Sequence, residues 1–416
     1  MTEQAPERHF RSGEGSNRQM TRRDSLKMLG AGFGLAGARP LTAQKDAGRI
    51  TVQGVETFVV HVNARGNWIL VRVRTSEGLS GIGEASHGGA DASTLQFIGT
   101  FFERLKGRSI FDMEWVRTTL AREAAQGGHS AACALSGLEQ AMWDIQGQAL
   151  GVPTYNLFGG VLRTRIRNYA NINRSSDPRT PAGFAAMAQR AVEAGFDAVK
   201  MAPWDDMPAE LSDAGKVEAV TQLGIERAAA VRKVLGPGRD LLLDGHSKFD
   251  LARGLQLVDR VEFLQLFWLE EVTKVAGLPT MRKAQAGRMA AAGGEDVFGL
   301  QGYQKYMQDG CADIQMPDVK YCGGMLELKK IATLAEARGL PVSPHGPASP
   351  IGNVAAAHVC AGMPNFHILE HSFGEVPWRA ELIDPPEHLD KGHMVLSAKP
   401  GLGIRLNEKT AAKYRA

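Results

Sequence analysis

From Ile50 onward, hydrophobic and polar positions alternate through "ITVQGVETFVVHV" and again through "NWILVRVRTSEGLSGIGEA". A period of two places successive side chains on opposite faces of a strand, and Glu77-Gly78 supplies a turn between antiparallel neighbours. Helical spacing then takes over in "LSGLEQAMWDIQGQALG" and stops at Gly151-Val152-Pro153. Strands followed by helices, without alternation, predict a small α+β domain over residues 46–160.

After Gly160 the rhythm changes. Short apolar runs ending in polar residues recur at "RNYANIN", "AVKMAP", "LLLDGH", "FWLEE", "MAAAGGE", "DIQMPD", "PVSPH" and "FHILEH", most of them separated by helix-compatible segments. Eight such units in just over 200 residues predict an α/β fold, a closed (β/α)8-type (TIM-like) barrel over residues 161–371. The tail, residues 372–416 with "KPGLGIRL", is expected to return and complete the N-terminal α+β capping domain.

Composition narrows the partners. The 416 residues are 44% hydrophobic and 22% charged with a formal net charge of +3, the balance of a globular protein with a large core. No basic cluster interleaved with aromatics points to nucleic acid, and no apolar run approaches the roughly 20 residues that cross a bilayer, so no membrane partner is expected for the mature form. A small molecule is the expected partner. Cys133, Cys311, Cys322 and Cys360 form no close pair and are expected to be buried thiols. In "TRRDSLKMLGAGFGLAGARP", Arg22 and Arg23 precede a short Gly/Ala-rich stretch that resembles a twin-arginine export signal, with Ser25 where such signals usually carry Phe. Residues 1–45 are therefore expected to be a signal segment cut near Ala43, and the protein to be exported, folded, to the periplasm.

The polar residues that end the barrel runs should converge on one mouth: Lys200, Asp244 and His246, Glu270, Glu295, Asp318, His345 and Glu370. Asp244, Glu270 and Glu295 come from consecutive strands with no cysteine beside them, a hard oxygen-donor set suited to Mg²⁺. Asp244 and His246 are expected to face the same way by strand alternation, and Glu271 to face away from Glu270. Across the mouth, Asp318 would fix the tautomer of His345 and make it a general base. Glu370 is expected to be protonated by burial beside other carboxylates and to serve a developing enolate oxygen. A divalent cation opposite a base suits proton abstraction next to a carboxylate, which creates an enediolate too unstable for free solution.

Taken with "VRVRTSEGLSGIGEA" and "SGLEQAMWDIQGQALGVPTYNLFGG" in the small domain, and "LLLDGH", "FWLEE", "GGE", "QMPDVKYCGG", "SPHGP" and "ILEHSFGE" in the barrel, the chain resembles the mandelate racemase subgroup of the enolase superfamily over residues 50–416. The resemblance implies Mg²⁺ on Asp244, Glu270 and Glu295, an Asp318–His345 base dyad, Glu370 as acid partner of the enolate, and a homo-oligomer built of dimers or an octamer. One position departs from the pattern. Racemases of the subgroup carry Lys-x-Lys on the second barrel strand, whereas "VKMAP" keeps Lys200 and has Ala202 in the second place. Elimination is thus expected over inversion, with Lys200 holding the substrate carboxylate. "DGH" resembles the galactonate and mannonate dehydratase branches, which implies that His246 protonates a departing 3-hydroxyl of a sugar acid (an aldonate or aldarate).

Substrate contacts are expected from Arg65, Trp68 and His87 in covering loops, and from Asn171, Asn173 and Arg174 after the first barrel strand. Other readings stay open at this level: a racemase, epimerase or cycloisomerase using Lys200 as second base, or a silent barrel that only binds sugar acids. A zinc amidohydrolase would need paired histidines where this chain has "YANINR".

Overall fold

The computed structural model describes residues 50–64, 66–86 and 88–416; the expected signal segment, Arg65 and His87 lie outside the described residues. Strands β1 (Val52–Asn63), β2 (Gly66–Thr75) and β3 (Ser80–Glu84) form an antiparallel meander. The Ala121–Leu150 helix lies directly on β3. A Cβ at Gly81 would sit 2.1 Å from Ala141 O and one at Gly83 2.1 Å from Gly137 O, so only glycine permits this approach.

Six barrel strands pair in parallel in chain order: β4 (Arg165–Asn171), β5 (Ala198–Met201), β6 (Asp240–Asp244), β7 (Trp268–Glu270), β8 (Ala290–Gly293) and β9 (Ile314–Gln315). β10 (Leu369–Ser372) pairs with β4 on the other side. Single parallel bridges, Gln315–Val342 and Val342–Phe366, carry the pairing round from β9 toward β10. The "PVSPH" run thus contributes one bridging residue, Val342, instead of a ladder, because Pro341 and Pro344 have no N–H to give.

Strand parity sorts the side chains. Val199, Met201, Leu241, Leu243 and Leu269 point outward into one cluster with Phe184, Val231 and Val258 from the surrounding helices. Tyr169, Ala198, Leu242, Trp268 and Ile368 fill the barrel interior. Lys200, Asp244, Glu270 and Glu370 share that inward parity one step further along, which lifts them off the apolar plug and onto its roof.

The tail serves both layers. His393–Val395 pairs antiparallel with the first residues of β4, after which Gly401 bridges Pro153 and Arg415 bridges Val60. Trp378 stacks on Tyr414 at 4.1 Å and meets Trp68 edge-on at 5.5 Å. All four cysteines are buried free thiols. Among the described residues no helix is long and apolar enough to cross a membrane.

Candidate active site

One carboxylate oxygen from each of Asp244, Glu270 and Glu295 lies within 4.8 Å of the others. Asp244 and Glu270 end their strands, whereas Glu295 follows β8 through Gly293-Gly294. Glu271 braces that turn by accepting from Gly294 N at 2.7 Å. Its backbone turns into positive φ (+33°), so it leaves the mouth through a kink and not through simple strand alternation.

Lys200 Nζ is set among the acids, 2.8 Å from Glu270, 3.3 Å from Asp244 and 3.9 Å from Glu370. Burial, followed by the nearby Asp244, raises the Glu270 carboxyl to about 8. Glu295 is pushed well up by burial, Asp244 and Glu271. Asp244 is held down, because His246 and Lys200 outweigh its burial. Its Oδ2 is buried and accepts no well-formed hydrogen bond. Crowded hard oxygens, with two of the carboxyls costly to ionise, fit a divalent cation.

Opposite stands His345, with Nδ1 2.8 Å from Asp318 Oδ2 and Nε2 3.1 Å from Glu295 Oε2. Asp318 also accepts from Lys320 Nζ at 2.6 Å and Lys320 N at 2.7 Å. Its burial is outweighed by Lys320 and His345, which hold it at about 2. The loop carrying His345 is fastened from the small domain. Glu84 at the end of β3 accepts from Ser349 N, Ser349 Oγ and Gly352 N at 2.9, 2.6 and 3.1 Å, capping the Pro350–Cys360 helix.

Glu370, expected as a protonated acid, sits among hydrogen-bond donors. Its oxygens accept from Tyr169 Oη (2.9 Å), Asn171 Nδ2 (2.5 Å) and Gly346 N (2.9 Å). Burial would raise it, yet Lys200, His345 and these donors bring it down to about 2. These contacts tie Glu370 to β4 and to the loop that carries His345.

His246 faces the mouth, though not by strand periodicity. β6 ends at Asp244, and His246 (φ +44°) and Ser247 (φ +53°) turn through left-handed backbone. Asp244 Oδ1 holds His246 N at 2.8 Å and Glu271 O holds Ser247 N at 2.6 Å. A Cβ at Gly245 would lie 2.6 Å from Val272 Cα, so the turn is pressed against the neighbouring strand end. His246 Nε2 lies 3.1 Å from Asp244 and Nδ1 2.5 Å from Asp205. Burial works against its charge, but Asp244 and Asp205 raise it well above the usual imidazole range.

A cavity of about 320 Å³ joins Lys200, Asp244, His246, Glu295 and His345, the scale of a small-molecule site. Asn171, Asn173 and Arg174 line it too. Asn173 donates to Asp205 Oδ2 at 2.8 Å, and Arg174 to the buried Glu375 at 2.9 Å. Trp68 corrects a second expectation. It is a β2 residue, 2% exposed and packed against Trp378, instead of a loop residue. It lines a neighbouring cavity of about 270 Å³ that shares Arg174, Tyr321 and Pro347 with the first. His87 and Arg65 are not described.

Several groups escaped the sequence reading. His129 reaches the cavity from the small domain and meets Tyr321 edge-on at 4.3 Å. The non-helical backbone of Gly128 (φ 72°, ψ −158°) within the Ala121–Leu150 helix is what turns it, and the "GGH" interruption of a helical pattern was the available signal. Asp205 and Lys320 act from behind other residues, and nothing in their spacing announces it.

Comparison with known proteins agrees with this geometry. Residues 50–159 match the mandelate racemase/muconate lactonizing enzyme N-terminal domain and residues 183–410 the enolase C-terminal domain-like family. The chain is 32% identical over 365 residues to a D-xylonate dehydratase of Haloferax volcanii, covering 86% of this chain and 87% of that one. It is 30% identical over 350 residues to a D-galactonate dehydratase of Variovorax paradoxus, covering 82% and 89%. A mandelate racemase/muconate lactonizing enzyme-like protein from Rubrobacter xylanophilus superposes with a TM-score of 0.79 at 31% identity, covering 88% of this chain and 98% of that one. The protein belongs to the mandelate racemase/muconate lactonizing enzyme group of the enolase superfamily.

Proposed function

We propose that the protein is a Mg²⁺-dependent sugar-acid dehydratase, a hydro-lyase that converts an aldonate or aldarate to its 2-keto-3-deoxy acid. The observation that carries this reading is the placement of two imidazoles, His345 and His246, on one cavity with the acid cluster between them. Relatives named D-xylonate, D-galactonate and, in Thermoproteus tenax, D-gluconate dehydratase support the same reaction class.

Asp244, Glu270 and Glu295 would hold the metal. When bound, Mg²⁺ supplies the positive charge that makes the carbon acid beside a carboxylate ionisable. Lys200, pinned between Glu270 and Glu370, adds fixed positive charge at the carboxylate end of the cavity. His345 Nε2, its ring oriented by Asp318, takes the C2 proton. His246 delivers its Nε2 proton to the 3-oxygen as the C3–O bond breaks. Water departs, and the remaining enol tautomerises to the 2-keto-3-deoxy acid. Ala202 leaves the second barrel strand without the further lysine that inversion at C2 would call for.

The test is a stereochemically complete set of four-, five- and six-carbon sugar acids in D2O with Mg²⁺, scored for 2-keto product and for deuterium at C2. His345→Asn should lose both signals. His246→Asn should keep exchange and lose dehydration; full dehydration by that variant would refute the acid role. Inverted starting acid in place of keto product would move the assignment to an epimerase. The twin-arginine pattern at Arg22-Arg23 supports export of the folded enzyme, tested by N-terminal sequencing for cleavage near Ala43.

A further inference from the structure

The second barrel strand ends at Met201, and three residues past Ala202 its loop brings Asp205 against His246, 2.5 Å from Nδ1. Asp205 does not line the cavity; it stands behind a histidine that does. Its other oxygen receives Asn173 Nδ2 at 2.8 Å and lies 3.7 Å from Arg179. Arg179 is itself fixed by the carbonyls of Asn173 and Ala202, at 3.0 and 2.8 Å. The carboxylate is thus held by Asn173 and Arg179 before it meets the imidazole.

Two things about His246 need such a partner. Its backbone sits in left-handed conformation, which a non-glycine residue keeps only where the surroundings impose it. Its ring has two nitrogens, and a carboxylate at Nδ1 fixes which of them is turned to the Asp244 side of the cavity, where Nε2 lies 3.1 Å from Asp244 Oδ2.

We propose that Asp205 is a positioning residue for elimination: resting on the dehydratase reading above, it holds His246 so that Nε2 carries and aims the proton given to the leaving 3-hydroxyl. The strand-two loop that lacks a second lysine at Ala202 instead supplies the carboxylate that orients the leaving-group acid. In the step served, the electron pair of the breaking C3–O bond stays on oxygen, that oxygen takes the His246 Nε2 proton, and water departs. Asp205 keeps the Nδ1–H bond throughout and touches neither substrate nor metal.

A leaving group that needs no proton separates orientation from general damage. Wild type, Asp205→Ala and Asp205→Asn, each with Mg²⁺, are compared on the best sugar acid and on its 3-deoxy-3-fluoro analogue, with C2 exchange measured in D2O. Loss of water should fall about 10²-fold in Asp205→Ala, and less in Asp205→Asn, which retains an acceptor oxygen. Fluoride release and C2 exchange should stay within about threefold of wild type. The double variant Asp205→Ala/His246→Asn should be no slower in water loss than His246→Asn alone, since the two act as one unit. Equal losses of water and fluoride, or water loss unchanged in Asp205→Ala, would overturn the proposal. A wild type that exchanges C2 without eliminating would overturn it while leaving proton abstraction in place; a wild type that does neither removes the dehydratase reading as well.

Discussion

Lys200 Nζ lies 2.8 Å from Glu270 Oε1 and 3.3 Å from Asp244 Oδ2, so a single cation leans on two of the three oxygens expected to hold metal. Burial and the neighbouring carboxylates raise both Glu270 and Glu295, a cost that a bound divalent cation would relieve. Mg²⁺ should therefore raise the melting temperature, by an amount matching about 2.7 kcal/mol at one hundred times its Kd. Glu295→Gln should weaken Mg²⁺ by at least about tenfold, read by calorimetric titration. Chelation should stop C2 exchange, and restored Mg²⁺ should return it. Exchange that survives chelation would remove the metal from the chemistry.

Glu84 belongs to the small domain, yet its carboxylate accepts from three donors at the helix that follows the His345 loop, Ser349 N, Ser349 Oγ and Gly352 N, and from Ser86 Oγ beside it. Glu84→Gln would replace one acceptor oxygen by an NH2 among the backbone N–H groups of Ser349 and Gly352, which can only donate. A loss of about 2–4 kcal/mol is expected in denaturant melts. C2 exchange should fall more than Mg²⁺ affinity, because the base is displaced and the metal acids are not. An unchanged melt would mean that the latch does not couple the two layers.

Gly245 separates the metal acid from the leaving-group acid. Gly245→Ala forces a methyl group to within 2.6 Å of Val272 Cα. Backbone cannot yield as a side-chain tip can, so a cost of about 1–3 kcal/mol is expected. Dehydration should drop more than exchange, since the displaced turn carries His246. The comparison is kcat for keto product against the exchange rate on the same acid.

Acid sensitivity should come from histidines outside the site. Burial holds His358 down at about 4, and burial reinforced by Arg379 does the same for His371. Each Nδ1 already faces a donor, Tyr155 N and Asn353 Nδ2 respectively. A folded pKa below the unfolded 6.5 means that the unfolded chain binds more protons in that interval. Stability should be intact above about pH 6.5 and fall as pH drops toward 4, by up to about 3 kcal/mol per histidine. His358→Gln, which can keep an acceptor for Tyr155 N, should flatten that slope in pH-dependent denaturant melts. An unaltered slope would exclude it as a source.

Much of this was legible because the barrel writes its chemistry at the ends of apolar runs. Leu242 and Leu243 fix the parity of β6, and that parity alone sends Asp244 inward; the same reasoning serves Glu270 and Lys200. What periodicity could not convey was departure from periodicity. His246 reaches the mouth through two left-handed residues, and Glu370 is met by donors from β4 and a loop after Val342, distant in sequence. Trp68 read as a loop aromatic because its partner Trp378 lies some three hundred residues on. The seventh strand shrinks to the single bridging residue Val342, between Pro341 and Pro344.

The small domain's first strand is finished by the last residues of the chain: His61 N donates to Tyr414 O, and Ala416 N to Val59 O. A ribosome that has released the opening 160 residues has therefore not released what their sheet requires. The edge of that sheet at Val59 and His61 therefore stays open until Tyr414 and Ala416 have followed the barrel out.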